Sequence, residues 1–161
     1  MTKPLKYTVA VIVKDPTDPE KFLIVKRPSD DPDLKDAWGL PAVTLLPGEM
    51  PEDGARRACR EKLGCRAMPV RFLGSMTQRR NTYDLVLMDI EMVLASGEEA
   101  SSAKAQTEGT VYVAHAWTTD PLKLMPSAKH GSCCSSIFLT DRGLLDRDTW
   151  IASLEGSDIV G

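Results

Sequence analysis

Residues 47–65 read PGEMPEDGARRACREKLGC and carry the clearest helix signal in the chain. Pro51 suits the first turn of a helix, because the N–H that proline lacks has no intrahelical partner there. Two acidic residues follow it, where the helix dipole favours negative charge, and Gly64 supplies a stop. The pattern predicts a helix from Pro51 to Leu63.

The predicted helix has two different sides. Ala55, Cys59 and Leu63 recur at every fourth position and form a narrow apolar stripe. Such a stripe favours packing against a sheet. The opposite side carries the charged residues Arg56, Arg57, Arg60 and Glu61.

Strand-like segments lie on both sides of this helix. Their β-branched and aromatic residues predict strands at 7–13, 22–26, 70–77, 83–94 and 111–117. Residues 78–82 have the length and composition of a hairpin connection between two of them. A second helix is predicted within 132–145, and this combination describes an α/β (α+β) layer fold.

Three segments are predicted to lie outside the regular elements. Residues 29–37 are polar, follow Pro28 and contain Pro32, and are expected to form a loop. Residues 95–109 are small and polar without an apolar period, which predicts a flexible loop or a lid. The tail at 151–161 is expected to be a short, frayed helix.

Composition limits the class of protein and of partner. The chain has 161 residues, of which 42% are hydrophobic, enough for one core, so residues 1–161 are predicted to form a single domain. A net charge of −3 argues against sequence-independent binding of nucleic acid, which needs a basic surface. A small anionic ligand needs only a local basic pocket and is compatible with this charge.

The sequence also predicts a cytoplasmic protein that does not enter a membrane. The apolar run at 9–13 is too short for a signal peptide core. No stretch approaches the ~18 apolar residues of a membrane span. The four cysteines lack C-x-x-C spacing, so reduced thiols are expected.

Beyond periodicity, four segments carry a family resemblance: FLIVKR at 22–27, WGLP at 38–41, PGE at 47–49 and RACREKLG at 57–64. In order and spacing they resemble the Nudix hydrolase family, whose box reads G-x5-E-x7-R-E-U-x-E-E-x-G-U, with U an aliphatic residue. The similarity covers roughly residues 7–64 and continues weakly to Leu145.

The box is degenerate in this sequence. Aligned on the family pattern it runs from Val43 to Cys65, and four anchors keep their register: Glu49, Arg57, Glu61 and Gly64. Ala58 and Lys62 stand where the family has glutamates, and Ala42 and Val43 replace a glycine pair. The departures therefore concern the carboxylates of the box.

Those carboxylates matter because positions i, i+3 and i+4 share one side of a helix, where three glutamates can hold divalent cations. Here the three positions are Ala58, Glu61 and Lys62, so three negative charges become zero net charge. A lysine ammonium ~4 Å from Mg²⁺ would be repelled by roughly 8 kcal/mol at an effective dielectric constant near 20.

The resemblance implies a Nudix-type α/β/α sandwich around a mixed β-sheet, and a site on the predicted helix. It implies catalytic roles for Glu49, Glu61 and Arg57, with Glu49 and Glu61 as ligands of Mg²⁺ or Mn²⁺. Glu52, or a loop carboxylate among Glu98, Glu99 and Glu108, is a candidate to complete the metal site. The residues expected to contact substrate are Arg27, Lys62, Arg79 and Tyr83.

Two hypotheses of function follow. In the first, the protein is a hydrolase of a nucleoside diphosphate linked to another group, with reduced or altered metal dependence. In the second, Lys62 and Arg57 provide positive charge in place of metal, and a catalytically silent domain binds a phosphorylated ligand or a protein partner. A Nudix-like interaction domain without pocket chemistry is a third alternative, and the sequence does not predict the oligomeric state.

Several of these residues also have structural interpretations. Arg57 is expected to pair with Glu61 one turn along the helix, or with Glu49 across the loop. Arg27 at a strand end is as compatible with solvent exposure as with substrate contact. His115 in an alternating strand favours a hydrogen-bonded, half-buried histidine over a general base.

Overall fold

The computed structural model describes residues 3–32, 34–105 and 112–146. Within these ranges the strands are β1 (Leu5–Lys14), β2 (Phe22–Lys26), β3 (Trp38–Gly39), β4 (Ala42–Thr44), β5 (Ala67–Arg79), β6 (Asp84–Leu94) and β7 (Ala114–Thr118). The α-helices are α1 (Pro51–Leu63), α2 (Met125–Lys129) and α3 (Cys133–Asp141), with 3-10 turns at Ser102–Lys104 and Pro121–Leu124.

The described strands form one mixed sheet around β1. The order along its main path is β3-β2-β1-β6-β5, with β4 paired to β1 and β7 paired to β2. Strands β1 and β6 run parallel from the pair Leu5 and Asp84 to the pair Lys14 and Val93, whereas the other pairs are antiparallel. A mixed sheet was predicted and is confirmed.

Alternate residues of β1 supply two separate cores. Val9, Val11 and Val13 are fully buried in the core beneath α1. Ala10 and Ile12 are fully buried in the core on the opposite side, with Phe138 of α3 and its neighbours. Because strand side chains alternate between the two sides of a sheet, one apolar run serves both layers. The α/β/α sandwich is therefore confirmed.

Helix α1 has the bounds that its sequence predicts. Gly64 ends it at φ 59°, in the left-handed region that glycine adopts without steric cost. The N–H of Gly64 donates to the carbonyl of Arg60, and the N–H of Cys65 donates to that of Cys59. The stripe of Ala55, Cys59 and Leu63 is fully buried, as predicted.

Other elements differ from their predicted extent. The hairpin strand β5 begins earlier than predicted, at Ala67, and the connection to β6 is residues 80–83. The second predicted helix is shorter and ends at Asp141, while the short strand β3 and helix α2 were not predicted. The described part of the loop at 95–109 contains a 3-10 turn, and residues 106–109, Val111 and the tail at 151–161 lie outside the described residues.

No helix in the described ranges combines the length and apolar character needed to cross a membrane. All four cysteines lie within these ranges and are buried free thiols, as the spacing predicts.

A buried carboxyl group lies in the core beneath α3. Asp89 on β6 has no solvent exposure, and neither of its side-chain oxygens has a hydrogen-bond partner among the described residues. Burial, with a smaller contribution from the charge of Asp141, raises the pKa of Asp89 well above its usual range. The group is therefore neutral in the folded protein under conditions where it ionises in the unfolded chain.

We predict that Asp89→Asn stabilises the protein increasingly as pH rises. The raised pKa of Asp89 means that the folded state binds a proton that the unfolded state has released, so wild-type stability falls above the unfolded pKa. This loss amounts to about 1.4 kcal/mol per pH unit until the folded pKa is reached, and an amide avoids it. Denaturant unfolding of both proteins at pH 4, 6 and 8 measures the difference.

The exposed Asp30 provides the control. Asp30→Asn should give no gain that grows with pH. Equal pH dependence of unfolding in wild type and Asp89→Asn would contradict the assignment of a neutral Asp89.

Candidate functional site

The loop between β4 and α1 folds back onto the helix. Gly48 adopts φ 76°, and the N–H of Leu46 donates to Oε1 of Glu49 at 3.1 Å. A Cβ atom at Gly54, in the first turns of α1, would collide with the side chain of Leu45. Small size at this position therefore lets the loop lie against the helix and brings Glu49 over Arg57.

Arg57 connects loop, strand and helix through its guanidinium group. Nε donates to Oε2 of Glu49 at 2.9 Å, and Nη2 donates to Oε1 of Glu49 at 3.0 Å. Nη2 also donates to the carbonyl of Thr44 at 2.8 Å, and Nη1 donates to Oε2 of Glu61 at 3.0 Å. Arg57 makes both of the pairings that the sequence offered as alternatives.

This network shifts the pKa values of Glu49 and Arg57. The Arg57 guanidinium lowers the pKa of Glu49, and the N–H of Leu46 lowers it further, against a smaller opposing effect of burial. The hydrogen bond to Glu49 raises the pKa of Arg57. Both groups are therefore charged, and Glu49 is a weak base.

The two non-family positions of the box lie on the buried side of α1. Ala58 has no solvent exposure, and Lys62 is 4% exposed. The Lys62 ammonium lies 5.8 Å from the centre of the Tyr112 ring. Burial is the largest cause of a lowered pKa of Lys62, with Arg57 and Arg27 acting in the same direction and Glu61 opposing them. Among Ala58, Glu61 and Lys62, only Glu61 is therefore partly exposed.

Tyr112 closes the space beside Lys62. Its hydroxyl accepts a hydrogen bond from the N–H of Ala42 at 3.2 Å. Burial raises the pKa of Tyr112 to about 12, so the phenol stays protonated. Tyr112 lies within the strand predicted at 111–117, although β7 begins only at Ala114, and it was not predicted as a site residue.

Arg27 faces a small enclosed cavity. Its Nη1 lies 3.1 Å from Oδ2 of Asp31, and both side chains are largely buried. The cavity is lined by Arg27 and Tyr112, with Ser127 and Cys134 among its other neighbours, and its volume is about 10 Å³. That is room for about one water molecule, so the cavity is too small for a nucleotide.

A much larger groove lies at the N-terminal end of α1. Its volume is about 920 Å³, and Glu49 and Tyr83 both line it. We call it the Glu49 groove. Its walls are mostly apolar and include Leu5, Tyr7, Leu46, Pro47 and Met88. Lys6, which was not predicted, also lines it and holds its ammonium 4.6 Å from the centre of the Tyr83 ring.

The predicted site residues therefore fall into separate places. Glu49, Arg57 and Glu61 form one network, and Glu49 shares its groove with Tyr83. Arg27 and Lys62 lie on the interior side near Tyr112. Arg79 is exposed at the end of β5 and is not among the residues that line the grooves and cavities near the other site residues.

The residues present do not fit a resident Mg²⁺ or Mn²⁺ ion. Nowhere in the described ranges do three His, Cys, Asp or Glu side chains converge as metal ligands. Both oxygens of Glu49 and one of Glu61 accept hydrogen bonds from Arg57. Hard divalent cations need several oxygen ligands, and Lys62 adds positive charge to the same helix.

The loop carboxylates do not complete the set. Glu98 lies 2.6 Å from Nε of Arg66, and this contact is the largest cause of its lowered pKa. Glu99 is exposed, and Glu108 lies outside the described residues. Glu52, in the first turn of α1, is exposed. The structure thus offers two box carboxylates, Glu49 and Glu61, where the family pattern has more.

Other candidate groups have structural partners. Nδ1 of His115 accepts a hydrogen bond from the N–H of Ser102 at 3.2 Å, which matches the structural interpretation of this histidine. Burial raises the pKa values of Cys133 and Cys134, the latter to about 11, so both remain thiols. Neither cysteine is suited to act as a nucleophile.

Comparison with known proteins gives a family and a fold. A family model described as NUDIX domain matches residues 4–122. A NUDIX hydrolase from Nitrosomonas europaea superposes with a TM-score of 0.66 at 18% identity, over 97% of this chain and 94% of that one. The MutT protein from Methanosarcina mazei Go1 gives a TM-score of 0.57 at 16% identity, over 78% and 84%. No curated protein matches the chain.

We predict that Arg57→Ala lowers the free energy of unfolding by about 1–3 kcal/mol at pH 7, because two carboxylates lose a charged donor. The lowered pKa of Glu49 stabilises the fold above its unfolded value, and this contribution is lost as pH falls through the folded value. The deficit of the variant should therefore shrink in acid, as measured by denaturant unfolding at pH 3 to 7.

Arg56→Ala is the matched control on the neighbouring helix position. Arg56 pairs with Asp53 at 3.1 Å, but their side chains are 44% and 64% exposed. Exposed pairs contribute little, so this variant should stay close to wild type. Equal losses in the two variants would show that the Arg57 network has no special role.

Proposed function

The chain belongs to the NUDIX domain family, and from that premise we propose that it is a Nudix-type hydrolase of a nucleoside diphosphate linked to another group, with reduced or altered metal dependence. The observation that carries the proposal is the network of Glu49, Arg57 and Glu61, which connects the loop before α1 to the helix. These are the charged box residues that keep the family register.

Within this proposal the three residues have different roles. Glu49 is held by two hydrogen bonds from Arg57, and its lowered pKa makes it a poor proton acceptor, so it positions Arg57 and the loop. Glu61 uses Oε2 for Arg57, and its side chain is 31% exposed. Its other oxygen is the better candidate to accept a proton from the attacking water.

The reduced metal dependence follows from charge. Lys62 brings one positive charge to the helix position at which the family has a glutamate. An ammonium there neutralises part of the charge of a bound diphosphate without a metal ion. Arg27, which adds to the positive potential at Lys62, belongs to the same proposed phosphate region. Tyr83 and Arg79 are proposed to contact the remaining part of the substrate.

We predict slow hydrolysis of at least one nucleoside diphosphate derivative, with less stimulation by Mg²⁺ or Mn²⁺ than a complete carboxylate set would give. The assay measures release of the nucleoside monophosphate from a substrate panel with either metal and with a chelator. Glu61→Gln should reduce kcat at least about 100-fold, because general-base catalysis contributes on that order. Arg56→Ala, at the exposed neighbouring pair, is the control. No release from any substrate under any condition would contradict a hydrolase.

A specific observation favours a second function. Ala58 and Lys62 are buried, and Arg57 occupies both side-chain oxygens of Glu49. The site therefore offers positive charge from its own side chains and few free carboxylate oxygens for a metal ion. The second candidate is therefore a domain that binds a phosphorylated ligand without hydrolysing it. The net charge of −3 favours a small anionic ligand over nucleic acid for either function.

The variant Lys62→Glu distinguishes ligand binding through the Lys62 ammonium from ligand binding through a metal ion. For ligand binding, calorimetry with ADP should show at least about a tenfold loss of affinity, since a charged hydrogen bond is replaced by repulsion. For metal binding, titration with Mn²⁺ should show a gain over wild type. Lys62→Met serves as the control, because it removes the charge without adding a ligand. Unchanged affinity for ADP in both variants would exclude Lys62 from the phosphate site.

A further inference from the structure

The side of the sheet that faces α1 extends beyond the N-terminal end of this helix. Leu5, Tyr7 and Leu46 line the Glu49 groove, and Val70 and Phe72 line a second groove of about 460 Å³. Pro51 and Met88 line both grooves, so the two are continuous. Met50, directly before Pro51, is the N-cap residue of α1.

Six large apolar residues of this region form what we call the apolar face: Leu5, Tyr7, Leu46, Met50, Val70 and Phe72. Each is between 46% and 60% exposed. Leu5 and Tyr7 lie on β1, Val70 and Phe72 lie on β5, and Leu46 and Met50 lie between β4 and α1. Their side chains remain about half exposed because no further layer of the described chain covers this part of the sheet.

The area of the apolar face matches one side of a protein interface. A large apolar side chain has on the order of 200 Å² of surface, so six at about half exposure offer roughly 600 Å². A typical monomer has its largest apolar patch at about 300–600 Å². A standard interface buries ~800 Å² per partner, of which somewhat more than half is apolar. The area of the apolar face is therefore at the upper end of the range for the largest apolar patch of a monomer. It is also large enough to supply the apolar part of a dimer interface.

The charges around the apolar face favour a second copy over a strongly charged partner. The charged residues that line the two grooves are Lys6, Glu49, Glu52 and Arg71. Their formal charges sum to zero, so the same surface on a second copy meets no net repulsion. A face with zero net charge is not attracted electrostatically to an anionic membrane surface.

Strand-to-strand pairing is not the mode of contact that β5 favours. β5 lies at the edge of the sheet, but Pro69 lacks a backbone donor, and its pairing with β6 is irregular between Pro69 and Arg71 and again between Phe72 and Gly74. Such features protect an edge strand from pairing with another chain. The exposed side chains of Val70 and Phe72 are instead available for packing side by side.

We propose that the apolar face is the contact between two copies of this chain, which pack about a two-fold axis. In such a contact the same residues serve both partners, so a face with balanced charge and apolar centre is complementary to itself. Glu49 lines the groove within the face, so the dimer covers this side of the carboxylate network.

Sedimentation or light scattering over a range of micromolar concentrations tests the proposal on the full chain. The wild type is expected to reach twice the 17.7 kDa of the chain as concentration rises, and to do so equally at high salt. Phe72→Asp should raise the dissociation constant of the dimer at least about tenfold, because a buried aromatic anchor is replaced by a charge. Leu46→Asp, on the loop side of the face, provides an independent variant should β5 tolerate the change poorly.

Leu122→Asp is the matched control. Leu122 is 53% exposed, similar to Phe72 at 55%, but lies on the 3-10 turn Pro121–Leu124 beside α2. It should leave the dimer intact, and circular dichroism should show all three variants folded. A wild type that stays monomeric at every concentration overturns the proposal, including the case in which a small molecule or the chain's own residues 147–161 cover the face. A dimer that survives both face variants overturns it as well.

Discussion

The guanidinium of Arg57 holds the start of the site helix in its geometry. Its hydrogen bonds reach the carbonyl of Thr44 at the end of β4, both oxygens of Glu49 in the loop, and Glu61 one turn along α1. A planar fork with several fixed donors can satisfy acceptors on three elements at once, which a lysine could not do. Loop, strand and helix are therefore fixed relative to one another by one side chain.

The same interaction limits what else the carboxylates can do. An arginine that satisfies Glu49 lowers the pKa of that residue and occupies the oxygens that a divalent cation would need. In the family pattern further glutamates at positions 58 and 62 would supply additional ligands, but here Ala58 belongs to the core and Lys62 is a buried cation. The arrangement keeps the framework of the family site while its electrostatic character shifts from anionic toward neutral. That shift is the physical basis for the weakened dependence on metal that we propose.

The sequence predicts the framework better than the site. Helix α1 and its buried stripe follow from proline, glycine and the spacing of Ala55, Cys59 and Leu63, all of which are local signals. The α/β/α arrangement depends on β1, whose continuous apolar run serves two cores, and here the family resemblance supplied what periodicity alone could not. The boundaries of β5 and α3 were less accurate. The bulges of β5 are not contained in the strand pattern, and α3 ends at Asp141, before Gly143 at φ 71°, although apolar residues continue to Leu145. The separation of Arg27 and Lys62 from the Glu49 groove also lay beyond the sequence, since it depends on Tyr112, which is distant along the chain and fills the space beside Lys62.

Glu49 links the chemistry of the site to the surface of the protein. One side of its carboxylate is bound by Arg57, and the residue also lines the groove within the apolar face. Exclusion of water from that side would strengthen the ion pair with Arg57, because charge interactions grow as the local dielectric constant falls. A tighter pair would hold Arg57 more firmly in place, and Nη1 of Arg57 in turn donates to Glu61 at 3.0 Å. Anything that covers the apolar face therefore acts on the network through Glu49, so the proposed assembly would be coupled to the site chemistry by one residue.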